Sequence, residues 1–274
     1  MKSIQSALVW VTVALIVLIA LPVLLVVRAV DWTPQHVRTG RTFRWLGTWT
    51  SRINPAWKVR IEHPPPGEMR HPYVVVSNHQ SLADIPVISR LPWEMKWVGK
   101  ASLFQLPVMG WLMRLADDVA VDRKSPESRA AVIRRTRQVI ADGVSVMFFA
   151  EGTRSKDGRL RRFFDGAFRL AVETGAPVLP VAIDGTMGAL PKHGWRFGEA
   201  DVRLKVLDAI PTTGLGLDDV AELRERTRRA IAEQIAAWRG TTPEAVTAPA
   251  PPGADPTPDA PAPEAVEDGA KSTA

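Results

Sequence analysis

The sequence predicts an α/β domain whose mixed, mostly parallel sheet is covered by helices, with an apolar membrane helix ahead of it and a disordered tail behind. Three observations predict this. Seven strand-like runs, 58–62, 72–77, 95–99, 118–122, 144–149, 177–183 and 201–207, alternate with helix-like segments, the pattern of a parallel or mixed sheet. Several runs, among them Tyr73-Val74-Val75-Val76, are almost continuously apolar, as strands covered on both faces should be. The two ends of the chain differ sharply in composition from this middle.

At the front, Ser3 to Val27 holds no charge, and Ala7–Val27 is apolar apart from Thr12. Twenty-one residues at about 1.5 Å each reach roughly 31 Å, close to the hydrocarbon thickness of a bilayer. A cleaved signal peptide would have a shorter apolar core and a small-x-small site, whereas Val27-Arg28-Ala29-Val30 follows here. Residues 1–30 are therefore expected to be an uncleaved anchor. Lys2 precedes it while Arg28, Arg38, Arg41, Arg44 and Arg52 follow, and the positive-inside bias puts the body on the cytoplasmic face of the cell inner membrane. Pro22 leaves insertion into a single leaflet open as well.

Residues 31–57 read as an interfacial segment. On a helix over 39–54, Trp45, Leu46, Trp49 and Ile53 share a face that Arg41, Arg44 and Arg52 flank, a mixture suited to the headgroup layer. An ordinary helix docked on the domain is the competing reading. The domain itself spans 58–240, with the Pro64-Pro65-Pro66-Gly67 loop after its first strand-like run. Its clearest helix is 126–141, with Ser125 as N-cap, Pro126 in the first turn and Gly143 just past the end. Another is 219–239, where Asp219 and Glu222 have capping-box spacing and Val220, Leu223, Ile231, Ile235 and Trp238 form the apolar side before Gly240.

Residues 241–274 hold eight prolines and no aromatic residue. Such a tail buries too little surface to order itself. With +6 for the whole chain and −5 for the tail, residues 1–240 carry +11. A body that basic favours nucleic acid, an anionic membrane surface or phosphorylated substrates, and the anchor selects the membrane over nucleic acid. The absence of cysteine excludes disulfides, thiolate catalysis and cysteine-ligated metal.

The chemistry concentrates just past strand ends, where α/β proteins bind ligands. His79 and Asp84, in Asn78-His79-Gln80-Ser81-Leu82-Ala83-Asp84, follow the 72–77 run. On one continuous helix the five-residue step leaves the side chains about 140° apart. A loop bearing His79 that leads into a helix starting near Asp84, with Pro86 in its first turn, lets them meet. Asp84 would then orient the ring and leave its other nitrogen free as a base. An Asp84 that only caps a helix beside a solvated His79 is the bland alternative. Glu151-Gly152-Thr153-Arg154 follows the 144–149 run and combines close backbone approach, a hydroxyl and a two-pronged anion clamp. Arg123 and Lys100 end two further runs. Any one of these cations reads most simply as a solvated surface residue. Three at strand ends beside a His–Asp pair do not.

Together these residues resemble the glycerolipid acyltransferase family, particularly the 1-acylglycerol-3-phosphate acyltransferases, over roughly 60–210. The 78–84 stretch is similar to the family's Asn-His-x-Ser-x-x-Asp block. Asp117-Asp118-Val119-Ala120-Val121-Asp122-Arg123 resembles the second block, though Asp117 stands where glycine is usual. Phe149-Ala150-Glu151-Gly152-Thr153-Arg154-Ser155 resembles the third, with Ala150 in place of proline. Val178-Leu179-Pro180-Val181-Ala182-Ile183-Asp184-Gly185 resembles the fourth.

The resemblance implies transfer of a fatty acyl group from a thioester, acyl-CoA or acyl-carrier protein, to the free hydroxyl of a lysophospholipid acceptor. His79 would act as base, and Arg123 and Arg154 would hold the acceptor phosphate. Glu151 would order that pocket or meet the glycerol, with Gly152, Thr153 and Lys100 completing the set. No cofactor and no metal is implied, since the five histidines lack ligand-like spacing. Two other readings are carried: a sister acyltransferase acting on another lysolipid, such as a lyso-ornithine lipid, and a non-catalytic, membrane-tethered binder of anionic ligands.

Overall fold

The computed structural model describes residues 2–64, 72–122, 124–191 and 194–249. All seven expected strands are present: β1 (Trp57–Glu62), β2 (Val74–Ser77), β3 (Met95–Lys100), β4 (Val119–Val121), β5 (Ser145–Phe149), β6 (Val178–Asp184) and β7 (Ala200–Val206). They form one sheet in the order β1-β7-β6-β2-β5-β3-β4. Every neighbouring pair is parallel except β6 and β7, so the mixed, mostly parallel sheet is as expected.

The continuous apolar runs divide between two faces because successive strand side chains alternate. Val74, Val76, Val146, Val178 and Ala182 pack on one side. Val75, Met147, Leu179, Val181 and Ile183 pack on the other. The first face is covered by α5 (Pro126–Ala141), α6 (Gly166–Thr174) and α8 (Val220–Arg239). The second face is covered partly by α3 (Asp84–Ile88). Ser125 caps α5 by accepting the Ser128 N–H at 3.0 Å, as the Ser-Pro start implied. The capping box expected at Asp219 sits one turn earlier: its carboxylate accepts the Gly216 N–H at 2.7 Å, closing a short 3₁₀ turn ahead of α8.

The α1 helix (Lys2–Ala29) is long and apolar enough by length and composition to cross a membrane. Ser6, Val9, Ala20 and Leu24 are nonetheless buried, a helical stripe running its length. Near the front, Trp10 Nε1 donates to the Trp195 carbonyl at 2.7 Å and Ser6 Oγ accepts the Phe197 N–H at 3.0 Å. Farther along, Ala20 and Leu24 pack on Leu112 of α4 (Met109–Leu115) and on Phe43 and Leu46 of α2 (Val37–Arg52). The helix thus lies along the domain, and its opposite face exposes Leu8, Val11, Leu15, Leu18 and Ile19.

The helix expected within residues 31–57 is present as α2, and Trp45 and Trp49 are exposed on it. Arg44 departs from expectation. Instead of flanking those tryptophans it is buried, paired with Asp118, and lies over the Trp97 ring at 5.3 Å. Asp118 is itself almost fully buried, and a buried carboxylate left unpaired is costly. The ordered chain also runs past residue 240. After the short α7 (Thr186–Ala189), β7 and α8, a last turn α9 (Pro243–Val246) buries Val246. Ala248 N–H donates to the Leu160 carbonyl at 2.8 Å. Residues 241–249 are therefore docked, although composition assigns them to the tail; 250–274 lie outside the described residues.

Candidate active site

Strands β2, β3, β5 and β6 run parallel, so the loops after their carboxyl ends gather on one edge of the sheet. Asn78 begins the first of these loops. Its side chain donates to the Ile183 carbonyl at 2.8 Å and accepts the Ile183 N–H at 3.0 Å. It thereby extends the β2–β6 ladder by a side-chain rung and fixes where His79 emerges.

His79 Nδ1 lies 2.7 Å from Asp84 Oδ2. The same oxygen accepts the N–H groups of Gln80 at 2.7 Å and Ser81 at 2.9 Å. Asp84 opens α3, and its side chain is fully buried, while 12% of the His79 side chain stays exposed. An oxygen that accepts backbone N–H groups is an acceptor toward the ring too, so Nδ1 carries the proton and Nε2 is left as the basic nitrogen. The ring stacks on Phe149, 3.9 Å between centroids and 16° between planes. The loop-then-helix arrangement inferred from the His–Asp spacing is present.

Glu151 supports His79 from behind. It is 2% exposed and faces inward, accepting the His79 N–H at 2.7 Å on one oxygen and the Arg161 N–H at 3.1 Å on the other. Burial pushes its carboxyl up to about 8, against the pull of those two donors. Ser155 N–H returns to the His79 carbonyl at 2.8 Å. Both backbone groups of His79 are thus held by the Glu151–Ser155 stretch. The turn needs Gly152, whose φ of +70° lies in the left-handed region.

Arg154 lies on a cavity of about 300 Å³, together with Trp10, Leu82, Leu190 and Trp195. It has no carboxylate partner among the described residues. Lys100 is exposed at the end of β3, on the same edge but not on that cavity wall. Arg123 lies outside the described residues. The structure therefore joins His79, Asp84 and Glu151 directly, sets Arg154 on a cavity shared with Leu82 of the histidine loop, and turns Glu151 inward, toward the ordering role carried for it and away from a glycerol contact. Asp117 and Asp165, two acids close to the motifs in sequence, are engaged elsewhere, with His36 and Arg28 and with Arg224 respectively. Among the described residues no group of three or more His, Asp or Glu could hold a metal ion.

Three participants escaped sequence reasoning. Phe149 carries the imidazole stack. Trp10 was the signal available for the second, a lone aromatic ring in an aliphatic stretch. The third is Gln80, whose amide donates to Asp184 at 3.1 Å. Burial favours the protonated form of Asp184, but Arg239 and Gln80 outweigh it and hold the carboxyl below its usual range. Arg239 closes α8, so the end of that helix is tied to the histidine loop.

Residues 58–184 match the family model described as Acyltransferase. A chloroplastic 1-acyl-sn-glycerol-3-phosphate acyltransferase of Brassica napus is 43% identical over 120 residues, 44% of this chain and 35% of the relative. The corresponding Arabidopsis thaliana protein is 40% identical over 147 residues, 52% of this chain and 41% of its own. The chain thus spans less than half the length of either plant relative. The crystal structure of the 1-acyl-sn-glycerophosphate acyltransferase of Thermotoga maritima superposes with a TM-score of 0.70 at 24% identity, covering 87% of this chain and 99% of that one. That likeness is one of fold. The segment matched by the family model holds both the histidine loop and the Glu151 turn, so over 58–184 this chain is similar to the acyltransferase family.

Proposed function

We propose that this chain acylates the free hydroxyl of 1-acylglycerol-3-phosphate, with a fatty acyl thioester as donor, to form phosphatidic acid. The observation that carries the reading is the 2.7 Å contact between His79 Nδ1 and buried Asp84, which leaves Nε2 to act as base. His79 Nε2 takes the hydroxyl proton as the oxygen attacks the thioester carbonyl. The C–O bond forms, the C–S bond breaks, and the imidazolium returns its proton to the departing thiolate. Asp84 stabilises the imidazolium in between. Base catalysis of this kind contributes about 10²–10⁴ in rate.

Arg154 is assigned the acceptor phosphate, because a guanidinium without a carboxylate partner suits a phosphate fork, and Arg123 shares that role by family resemblance. The donor is acyl-CoA or acyl-carrier protein. The exposed apolar face of α1 and the tryptophans of α2 hold the domain on the cytoplasmic face of the inner membrane, where acceptor and product reside.

The test uses purified full-length protein, an acyl thioester and a panel of lysolipid acceptors that includes 1-acylglycerol-3-phosphate and a lyso-ornithine lipid. Preference for 1-acylglycerol-3-phosphate, lost in His79→Ala, supports the reading. A folded His79→Ala protein with near-normal transfer overturns the mechanism, and preference for another lysolipid overturns the acceptor.

A further inference from the structure

A second cavity, of about 390 Å³, lies between α2 and the turn 89–94. It is remote from the histidine loop. His79 follows the carboxyl end of β2, whereas Leu91 to Glu94 lead into the amino end of β3, and both strands pair in parallel with β5. The two cavities therefore belong to opposite edges of the sheet.

The wall holds Arg41, Arg44, Arg52 and Arg90 against one acid, Glu94. Glu94 is taken by Lys96 at 3.0 Å, and Arg44 by Asp118. The other three arginines have no carboxylate partner among the described residues. Arg41 reaches a carbonyl, that of Pro92, at 3.5 Å, and Arg52 lies over the Trp49 ring at 5.4 Å. Burial, and then the charge of nearby Arg52, hold the Arg90 guanidinium below its usual range. Like charges turned toward one cavity are relieved by an anion able to accept from both, and a phosphate fits two guanidinium forks. The wall atom Arg44 Nε also has no hydrogen-bond partner among the described residues, so one donor remains unused there.

The rim indicates where the anion comes from. Trp45 lines the cavity and is 56% exposed, and Trp49, one turn on, is 42% exposed. Their helix packs through Leu46 on α1, whose far side is apolar and exposed. Tryptophan beside arginine is the composition of a surface that sits among lipid headgroups, whereas an acidic protein or a nucleic acid would not call for exposed aliphatic residues.

We propose that this cavity is an accessory site for the phosphate of an anionic membrane lipid, gripped by Arg52 and Arg90 and separate from the acceptor site beside His79. The test reads vesicle binding of the full chain by flotation, without turnover, so it stands apart from the acyl-transfer reading. Vesicles are phosphatidylcholine alone or phosphatidylcholine with phosphatidylglycerol. The variants are Arg52→Gln/Arg90→Gln and a charge-matched control, Arg38→Gln/Lys58→Gln, both checked by thermal melting.

The affinity that phosphatidylglycerol adds should fall on the order of 30-fold in the cavity variant and far less in the control, with binding to phosphatidylcholine unchanged in both. Should the cavity variant unfold, Arg52→Lys/Arg90→Lys keeps the charge, loses the fork, and should still lose part of the increment. Equal losses in variant and control would reduce the effect to diffuse attraction and overturn the proposal. So would stabilisation by inorganic phosphate that needs Arg52 and Arg90 while vesicle binding does not, or an Arg52/Arg90-dependent affinity for an acidic carrier protein in place of vesicles.

Discussion

At Asp84 a single oxygen receives the imidazole and two backbone N–H groups. An amide cannot reproduce this: with its oxygen toward the donors it carries no charge for the imidazolium, and with its nitrogen there it clashes with them. Asp84→Asn is expected to lower kcat by about 10³–10⁴ with KM little changed, measured by steady-state acyl transfer. Glu151 acts one step farther back, through the backbone of His79. Its carboxyl stands at about 8 in the folded protein, raised from 4.5, so between those values the folded chain binds the proton more tightly than the unfolded chain. Its contribution to stability is whole below about pH 4.5 and is lost as pH rises through about 8. Urea unfolding across that window should show wild-type stability declining with pH more steeply than that of Glu151→Gln. That variant also sets an amide N–H₂ against one of the two N–H donors, so its kcat should fall while acceptor KM holds. An identical pH slope in the two proteins would remove Glu151 as the titrating group.

Elements whose cause is local were legible in the sequence. Seven strands followed from apolar runs, α5 from Ser125-Pro126 and Gly143, and the start of α3 from the His79–Asp84 spacing with Pro86. What escaped depends on registers between distant segments. Ser77 lies opposite Phe149, and that register brings the phenyl ring under His79 and turns Glu151 inward; no periodicity within either segment encodes it. Arg44 is the same case, because its partner Asp118 lies on another element. Where α2 crosses the Glu94–Lys96 pair it has Gly40, since a Cβ there would lie 1.9 Å from Glu94 Oε1. The seam between α2 and the sheet is therefore built on buried charge. Such pairs are costly to break singly, by about 3–5 kcal/mol, and cheap to replace whole. Asp118→Ala should lose about that much in urea unfolding, as it strands Arg44 and the Trp97 N–H that Asp118 accepts at 3.0 Å. Arg44→Met with Asp118→Leu should recover most of the loss. If the double variant is as unstable as the single, backbone support from Asp118 outweighs the charge.

For the molecule as a whole, the orientation of α1 decides how, on the proposed function, a soluble thioester and a lipid acceptor would meet at His79. Length alone allows the helix to cross a bilayer, but a crossing helix would have to leave the domain. Instead Trp10 bonds to the Trp195 carbonyl and Leu24 is sealed against α4 and α2. A helix held at both places lies parallel to the face it covers, and the proposed membrane-bound state would then put its apolar outer side in one leaflet and the cavity of Trp10, Leu82 and Arg154 at headgroup depth. Both helix ends should then face the same aqueous compartment. The chain has no cysteine, so the experiment is direct: Gln5→Cys and Val30→Cys, made singly, are exposed to a membrane-impermeant maleimide in sealed inside-out vesicles and in intact cells. Labelling of both in the inside-out vesicles, and of neither in intact cells, is expected. Labelling of Gln5→Cys from the outer side alone would make α1 a span and would require its contacts with Trp195 and Leu112 to open in the membrane.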